Sequence, residues 1–385
     1  MPVLIEAWAC AAALQIASLW ACLAATLLHF RVSRRPSRTD LPRMTLIKPV
    51  RGLDDDFAEN LESIAASDPR RLLQVIIAME SAGDPAYPAA AAFAAAHPDR
   101  DIAVVITGPS GERMGKMHNM IEAIPRAKHD AILFSDADVR TTPGMIAETA
   151  EAFASGSDCV YGLPYHLPAP GLGGWQFMVA FNHGFCLPAA LSDKLGLFRF
   201  CSGAWMGYTR KTLDRIGGLK PYAQAIADDF ALGDSARRAG ARGVLLHEPV
   251  FLKETGRGAL EAARHLAKWC AIVRWSVPGL YFAAPLLSAS AVCGGLWLTC
   301  EASGRFLWLG RGLLAAQMLS RALVGFLQDS RIGRGRMAWW GYALLAFADF
   351  GAIFYWLSGL RSLIRWRGKT YRLSPGGRAR VIEAP

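Results

Sequence analysis

The sequence predicts an α/β domain with a mostly parallel sheet flanked by helices, joined to one N-terminal and two to three C-terminal transmembrane helices. Strand-like and helix-like segments alternate between about residues 44 and 255, which is the order of a parallel sheet with helices on both faces. Long apolar segments precede and follow that region. The 385 residues are 52% hydrophobic with a formal net charge of +10 and a mean hydropathy of +0.21, a composition that excludes an ordinary soluble enzyme.

The first apolar segment, residues 7–30, is long enough to span a bilayer. It contains no Asp, Glu, Lys or Arg, and Gln15 and His29 are its most polar side chains. Its length, and the absence of a preceding basic region, argue against a signal peptide. A basic cluster follows the segment and consists of Arg31, Arg34, Arg35, Arg38 and Arg43. By the positive-inside rule, residues 31 onward are therefore expected in the cytosol.

The α/β region is predicted to bring polar groups to one edge of its sheet. The expected elements are, in order, a strand over 44–49, a helix over 56–66, a strand over 72–79, a helix over 88–97, a strand over 101–107, a helix over 116–124 and a buried strand over 131–134, with a further strand and turn over 160–165. The carboxyl ends of the predicted strands then carry Lys48 and Arg51, the 80–84 segment and the 135–138 segment. This favours a nucleotide site, although Lys48 and Arg51 are also compatible with ordinary solvated charges.

Two acidic clusters, separated by about ninety residues, supply the chemistry of this edge. Asp136 and Asp138 directly follow the buried strand, and Asp228 and Asp229 form the second cluster. Carboxylates after a strand suit Mg²⁺ or Mn²⁺ bridging a diphosphate, and a separate acid can serve as general base. These are the minimal parts of a metal-dependent sugar-nucleotide transferase. For Asp228 the alternative is a simple cap on a helix that begins near Phe230.

The C-terminal third is again apolar. Residues 280–300 are a candidate span, 306–327 are interrupted by Arg311 and Arg321, and 337–360 contain one acid, Asp349. Two full spans and one partial insertion are favoured because the basic tail should be cytosolic. Asp349 is either a functional intramembrane acid or, as favoured here, the partner of an Arg on a neighbouring segment.

The predicted organisation has five parts, the fourth being this apolar region. An amphipathic segment rich in Trp precedes it and is expected to lie in the membrane interface. The parts are an N-terminal transmembrane helix over 1–30, a cytosolic catalytic domain over 31–258, the interfacial segment over 259–279, a C-terminal transmembrane region over 280–360 and a basic cytosolic tail over 361–385.

Several short motifs, in a consistent order, resemble one known family. They are Lys48-Pro49-x-x-Gly52-x-Asp54, Gly162-Leu163-Pro164-Tyr165, Gly217-Gly218-Leu219, Ile226-Ala227-Asp228-Asp229-Phe230, and Trp366-Arg367-x-Lys369-x-Tyr371-Arg372-Leu373 with Gly376-Gly377. Together they resemble the ceramide glucosyltransferases, the membrane-bound enzymes of glycosyltransferase family 21, which have a GT-A type fold. The likeness runs from about residue 44 to the tail.

The resemblance assigns roles to the two acidic clusters. It implies that Asp136, with Asp138 completing Asp-x-Asp, holds the metal and the donor diphosphate. It implies that Asp229 is the catalytic aspartate of the acceptor loop, with Asp228 where the family also has an acid. His183 falls where the family has an acceptor-pocket histidine, although an ordinary structural histidine is an equal alternative.

Two positions depart from the family pattern. Ser81 stands where the family has its first acid, which leaves Glu80 or Asp84 to bind the uridine. The last family motif, Gln/Arg-x-x-Arg-Trp, is replaced by His265-Leu266-Ala267-Lys268-Trp269. The resemblance places Lys268 and Trp269 at the diphosphate and His265 toward the acceptor. Lys268 keeps a positive charge but lacks the bidentate fork of Arg.

The activity that the resemblance implies is inverting transfer of a sugar, most simply glucose, from a UDP-sugar to the primary hydroxyl of ceramide, giving β-glycosylceramide. A divalent cation, Mg²⁺ or Mn²⁺, is the expected cofactor. The expected location is a membrane crossed several times (the cell inner membrane if bacterial), with the catalytic domain cytosolic. Transfer of another sugar to a hopanoid or diacylglycerol, or a non-catalytic membrane scaffold, are the alternatives. A nucleic-acid partner is not predicted, because the basic residues cluster at membrane edges where anionic lipids explain them.

Overall fold

The computed structural model of the chain describes residues 2–31, 39–54, 56–197, 202–253, 258–366 and 368–383. It forms two compact units. The α/β unit comprises Phe30–His166, Gly196–Gly256 and Leu363–Pro385, and the helical unit comprises Met1–His29, Leu167–Leu195 and Arg257–Ser362. Of the predicted basic cluster and terminal motif, Arg34, Arg35, Arg38 and Arg367 lie outside the described residues.

These units divide the chain at positions other than those of the five predicted parts. Leu167–Leu195 belongs to the helical unit rather than to a continuous domain over 31–258. The reason is packing, since Phe177 of this segment shares an apolar cluster with Ala262 and Leu266. The segment from Leu363 onward, expected as a basic tail, belongs to the α/β unit as ordered strands.

The strands define a mixed, mostly parallel central sheet. In chain order they are β1 (Met44–Pro49), β2 (Leu73–Met79), β3 (Asp101–Ile106), β4 (Ala131–Ser135), β5 (Val139–Arg140), β6 (Cys159–Tyr161), β7 (Pro164–His166), β8 (Trp205–Thr209), β9 (Gly243–Leu245), β10 (Val250–Leu252), β11 (Leu363–Trp366), β12 (Lys369–Ser374) and β13 (Arg378–Glu383). The central sheet has the order β3-β2-β1-β4-β8-β6-β9. All its neighbouring strands are parallel except β8, which runs antiparallel to β4 and β6. The predicted α/β class with a mostly parallel sheet is confirmed.

The central strands were predictable because both of their faces are covered. Every residue of β1, β2 and β4 is buried, and strands buried on both faces are continuously apolar rather than alternating. Two small sheets accompany the central one, with the orders β5-β10-β7 and β11-β12-β13.

Helices pack against the central sheet and share its apolar core, as Leu61 of the second helix and Met145 of the fifth show. The helices of the whole chain are, in order, α1 (Pro2–Arg31), α2 (Phe57–Ser67), α3 (Tyr87–Ala96), α4 (Gly115–Ala123), α5 (Pro143–Ala154), α6 (Gly171–Met178), α7 (Leu187–Lys194), α8 (Arg210–Arg215), α9 (Asp228–Arg238), α10 (Ala259–Ser276), α11 (Pro278–Leu287), α12 (Ala289–Ser303), α13 (Leu307–Arg331), α14 (Trp339–Ala343) and α15 (Leu345–Ser358). A π-helix over Val179–Cys186 joins α6 to α7. Helix α5 shows why such helices begin where they do, because Pro143 sits in its first turn and the Thr142 hydroxyl accepts the Met145 amide at 3.2 Å.

The helical unit contains the N-terminal apolar helix that was predicted. Within the described residues, the helix over Val3–Arg31 is the one long and apolar enough, by length and composition, to cross a membrane. The proposed C-terminal spans are less regular. The stretch 280–300 is divided between α11 and α12 at Ser288, and 337–360 is divided between α14 and α15 at Leu344. Of the three stretches, 306–327 lies in one helix, α13, apart from Phe306 at its N-cap.

The favoured interpretation of Asp349 is confirmed. Arg321 of α13 donates from Nε to Asp349 Oδ2 at 2.8 Å and from Nη2 to Oδ1 at 3.0 Å. Ser290 donates to the same carboxylate at 2.9 Å, and Gln317 donates to Ser290 at 3.2 Å. This bidentate pair explains how α13 and α15 carry opposite charges in an apolar unit.

Candidate active site

The predicted polar edge exists in the α/β unit. Strands β2, β1 and β4 run parallel in that order, so their carboxyl ends lie on one side of the sheet. Lys48 lies near the end of β1, Glu80 directly follows β2, and Asp136 directly follows β4. Asp138 completes the turn between β4 and β5.

Lys48 supports this edge from inside the protein. Its side chain is fully buried, and Nζ donates to the backbone oxygen of Asp136 at 2.6 Å and to Ser135 Oγ at 3.3 Å. Burial lowers the pKa of Lys48 to about 8, against the opposing pull of the Asp138 and Asp136 carboxylates. These contacts argue against a solvated surface charge and show that Lys48 holds the Asp-x-Asp turn in place.

The second acidic cluster begins helix α9. Asp228 is the first residue of the helix and Ala227 occupies the N-cap position, so the alternative interpretation of Asp228 as the cap of this helix is wrong. Asp229 is oriented by two backbone amides: Gly203 donates to Oδ2 at 3.1 Å and Phe230 donates to Oδ1 at 2.7 Å. A side chain at Gly203 would crowd this arrangement, because an added Cβ would lie 3.2 Å from Lys116 Nζ and 3.4 Å from Asp229 Oδ2.

Lys116 joins the two clusters, a role that was not predicted from the sequence. Its Nζ lies 2.7 Å from Asp136 Oδ1 and 2.9 Å from Asp228 Oδ2. Lys116 is the second residue of α4, where a cation opposes the helix dipole. A Lys in the first turn of a helix is unfavourable, and this signal marks Lys116 as a residue with another role. The signal does not identify Asp136 and Asp228 as its partners.

The charges at this site alter one another's titration. Burial disfavours charged Lys116, but the Asp136 and Asp228 carboxylates outweigh it and raise its pKa. Burial also raises the pKa of Asp228, with Lys116 opposing. Burial, together with the nearby Asp228, raises the pKa of Asp229 to about 6, again against the pull of Lys116. A carboxylate near this value is suited to accept a proton close to neutral pH.

The acids after β2 are held by the protein. Glu80 accepts Arg51 at 3.4 Å and, through Oε2, both the amide and the hydroxyl of Ser110 at 3.1 Å. Asp84 accepts the Gly52 amide through both oxygens, at 3.0 and 2.9 Å, and also the Ala86 amide at 2.9 Å. Asp84 therefore fixes the loops after β1 and β2. The Ser81 hydroxyl accepts the amide of Gly83 at 3.0 Å.

The other predicted site residues belong to the helical unit. His183 lies in the π-helix with its ring buried, Nδ1 3.2 Å from Gln328 Oε1 and Nε2 3.4 Å from Asp329 Oδ2. These contacts favour the structural interpretation of His183. The roles of the residues of the His-Leu-Ala-Lys-Trp motif at the donor and acceptor stay predictions.

That motif lies on helix α10. The His265 ring packs edge-on against Phe177, with centroids 5.4 Å apart. Lys268 is buried, with Nζ 5.9 Å from the Trp269 ring centroid. These contacts set the side-chain positions along one helix of the helical unit.

The fold and the site together define an α/β protein whose sheet edge carries partly buried carboxylates and a lysine. A family model described as "Glycosyl transferase family 21" matches residues 7–379. The chain belongs to glycosyl transferase family 21, a family of sugar-transferring enzymes. This confirms the resemblance drawn from the motifs.

Curated relatives and solved structures are similar at low identity. "Ceramide glucosyltransferase 1" of Caenorhabditis elegans is 21% identical over 370 residues, which covers 92% of this chain and 76% of that protein. "Ceramide glucosyltransferase 3" of the same organism is 21% identical over 263 residues, 67% of this chain and 56% of that protein. A mannosyltransferase from Pyrobaculum calidifontis, solved with GDP-Man and Mn²⁺, is 20% identical, covers 92% of this chain and 97% of its own, and has a TM-score of 0.47.

Proposed function

We propose that this chain is an inverting transferase that moves a sugar, most simply glucose, from a UDP-sugar to the primary hydroxyl of ceramide, giving β-glycosylceramide. The observation that carries the proposal is Asp229, a half-buried carboxylate oriented by two amides with its pKa raised to about 6. The curated relatives named as ceramide glucosyltransferases support ceramide as the acceptor.

In the proposed reaction Asp229 is the general base. It takes the proton of the acceptor hydroxyl while that oxygen forms a bond to the anomeric carbon. The bond from the anomeric carbon to the diphosphate oxygen breaks on the opposite side, and UDP leaves. The transition state has oxocarbenium character, as in glycoside hydrolysis. The amides of Gly203 and Phe230 hold the carboxylate in one orientation, so it meets the hydroxyl without reorganising.

Lys116 neutralises the acids of the same site. With ion pairs at 2.7 Å to Asp136 and 2.9 Å to Asp228, it lowers the repulsion between the carboxylates and an incoming diphosphate. It also opposes the rise in the pKa of Asp229, which keeps more of the base deprotonated at neutral pH. Asp228 acts in this scheme through Lys116, as a positioning residue.

The residues after β4 fit a divalent cation. Asp136 and Asp138 offer hard carboxylate oxygens, and 37% of the Asp136 side chain is exposed. Among the described residues no group of three or more His, Cys, Asp or Glu side chains is placed to hold an ion. Independently of this, Mg²⁺ in nucleotide sites is commonly bound through one or two carboxylates plus substrate phosphates. When bound, the cation would offset the charge on the leaving diphosphate.

A membrane setting supports a lipid acceptor. The helical unit exposes large apolar side chains, including Trp308, Trp339 and Phe354, at 86%, 82% and 73% exposure. Large apolar side chains exposed in this number suit contact with lipid. We infer a protein that crosses the membrane more than once, with the α/β unit in the cytosol, where UDP-sugars are found.

The second candidate is transfer of a different sugar to another membrane lipid, such as a hopanoid or diacylglycerol. The observation that favours it is the donor edge. Ser81 stands where the family has an acid, Asp84 is engaged by backbone amides, and Glu80 is paired with Arg51. Because Asp84 and Glu80 are engaged with the protein, groups other than the family's first acid must bind the base of the donor. A donor other than that of the family is then favoured.

The test is a transfer assay with the full chain in detergent, using ceramide, a panel of UDP-sugars, and Mg²⁺ or Mn²⁺ against EDTA. UDP release and lipid product are followed in the wild type and in Asp229→Asn. Glycosylceramide from one donor, lost with EDTA and in the variant, supports the proposal. Turnover only with another lipid selects the second candidate. An absence of product with every donor and lipid leaves a non-catalytic scaffold as the better interpretation.

A further inference from the structure

The C-terminal hairpin, defined as β12 and β13, is joined to the loop that leads into the catalytic helix. Ile226 donates its amide to the Gly377 oxygen at 3.0 Å, and Ala379 donates its amide to the Gln224 oxygen at 2.8 Å. These bonds form an antiparallel bridge between Ala225 and Arg378. Asp228 and Asp229 follow within three residues of Ile226, so the hairpin holds the chain just before the proposed base.

The same loop is held from its other side by the helix that carries Lys116. Met114, at the N-cap of α4, donates its amide to the Ala223 oxygen at 2.8 Å. The loop over 223–226 therefore lies between α4 and the hairpin, and it has main-chain bonds to both. Lys116 lies on α4, and Asp228 begins α9 just after the loop. The 2.9 Å ion pair between them therefore depends on the position of the loop.

The hairpin also reaches the donor edge through one lysine. Lys369 begins β12, is 9% exposed, and donates from Nζ to Ser110 Oγ at 3.0 Å. Ser110 in turn donates its amide and its hydroxyl to Glu80, both at 3.1 Å. Burying an amine is costly unless it is hydrogen-bonded, so this contact holds Lys369 at that position.

One face of the hairpin is packed against the α/β unit, so the hairpin can support other segments. Tyr371, Leu373 and Ala379 are 3%, 2% and 1% exposed, which is the alternation of a strand pair packed on one face. Gly376 and Gly377 have φ angles of 80° and 69° and form the connecting turn, where positive φ favours glycine.

We propose that the C-terminal hairpin is a positioning element of the active site: its Gly377–Ala379 edge sets the loop that carries Asp228 and Asp229, and Lys369 sets the Ser110–Glu80 donor edge. The proposal rests on the function proposed above for Asp229. It assigns a role in turnover to a segment that composition alone marks as a basic tail.

Ala379→Pro tests the first contact. Proline has no amide hydrogen, so the variant loses the bond to Gln224, while the neighbouring residues keep their ladder bonds to β12. Val381→Pro is the matched control, because Val381 is two residues along the same strand, has the same backbone orientation and lies beyond the bridge. The readouts are kcat, donor and acceptor KM, the melting temperature, and amide hydrogen exchange of the 223–231 peptide.

We expect Ala379→Pro to speed exchange in the 223–231 peptide and to lower kcat by about tenfold, since small misplacement of a catalytic group has effects of that order or larger. Donor KM and melting temperature should stay close to those of Val381→Pro. Unchanged exchange, or unchanged kcat despite faster exchange, overturns the proposal. Equal losses in both variants also overturn it, because they reflect a damaged strand. If the wild type transfers no sugar, the proposed function fails, whereas the exchange result still decides whether the hairpin holds the loop.

Lys369→Met tests the second contact, with Arg372→Met, an exposed cation on the same strand, as its control. We expect Lys369→Met to raise the donor KM several-fold with kcat retained, because it loosens the donor edge rather than the base. Equal donor KM in the two variants would remove Lys369 from the proposal.

Discussion

Replacing Asp229 by Asn removes the proposed base and keeps a side chain of nearly the same shape. A positioned general base contributes about 10²–10⁴-fold to the rate, and we expect kcat of Asp229→Asn to fall by a factor in that range. The Asn carbonyl oxygen still accepts a backbone amide, so the side chain stays near its native position.

The pH dependence of wild-type kcat/KM is a second, independent test of Asp229 as the base. With a pKa of about 6, about 9% of Asp229 is deprotonated at pH 5 and about 99% at pH 8, by the ordinary titration relation. We therefore expect wild-type kcat/KM to be roughly tenfold lower at pH 5 than at pH 8. The residual activity of Asp229→Asn should lack this acid limb.

Stability separates loss of the base from loss of the fold. Folding raises the pKa of Asp229 above its unfolded value of 3.8, so the folded state binds more protons between about pH 4 and 6. Its negative charge consequently destabilises the folded state above about pH 6. A neutral Asn removes that penalty, but its NH2 group faces one of the two backbone amide donors, so the melting temperature of the variant at pH 7.5 should stay close to that of the wild type.

The assay is glycolipid formation in detergent from pH 5 to 8.5, beside the exposed-acid control Asp214→Asn. The control should behave as wild type. The assignment of Asp229 is refuted if its Asn variant keeps more than about a tenth of wild-type kcat, a smaller loss than a general base should give. An acid limb that persists in the variant would show that another group titrates.

Three further substitutions test the surroundings. Lys116→Met removes the charge that lowers the pKa of Asp229, so the acid limb of kcat/KM should move to higher pH; a limb at the wild-type position contradicts this. Gly203→Ala places a Cβ 3.2 Å from Lys116 Nζ, and we expect kcat to fall about tenfold with little change in melting temperature, whereas wild-type kcat would mean that the site adjusts freely. Arg321→Met leaves the Asp349 carboxylate without its buried partner, which costs about 3–5 kcal/mol. The melting temperature should drop and should recover in Arg321→Met/Asp349→Leu, and a drop that persists in the double variant would assign it to lost packing.

Local patterns were sufficient for the first elements of the α/β unit, from β1 to β4. The predicted first strand coincides with Met44–Pro49, because a strand covered on both faces is marked by its own apolar run. The Asp-x-Asp turn and the Asp228-Asp229 pair were identified for the same reason, since each is a short motif beside a recognisable element. The pairing of Asp349 with an Arg followed from the cost of an isolated charge in an apolar segment.

Hydropathy alone did not locate the helix breaks in the C-terminal third. Both the 280–300 stretch and the 337–360 stretch are mostly apolar, yet each is divided in two. A helix ends where its backbone hydrogen bonds are satisfied in another way, as at Ser288, whose hydroxyl accepts the Ala291 amide at 3.3 Å. That choice depends on neighbouring packing as well as on composition.

The sequence by itself determined the fold class and the succession of strands and helices from β1 to β4. It also identified the acidic residues of the candidate site. The tertiary structure alone decided that Lys116 bridges Asp136 and Asp228, and that the terminal hairpin bonds to the loop over 224–226. The physical reason is the range of the interactions. Periodicity and short motifs report on neighbours along the chain, whereas an ion pair or a main-chain bond between distant residues depends on how the whole chain returns to the same place.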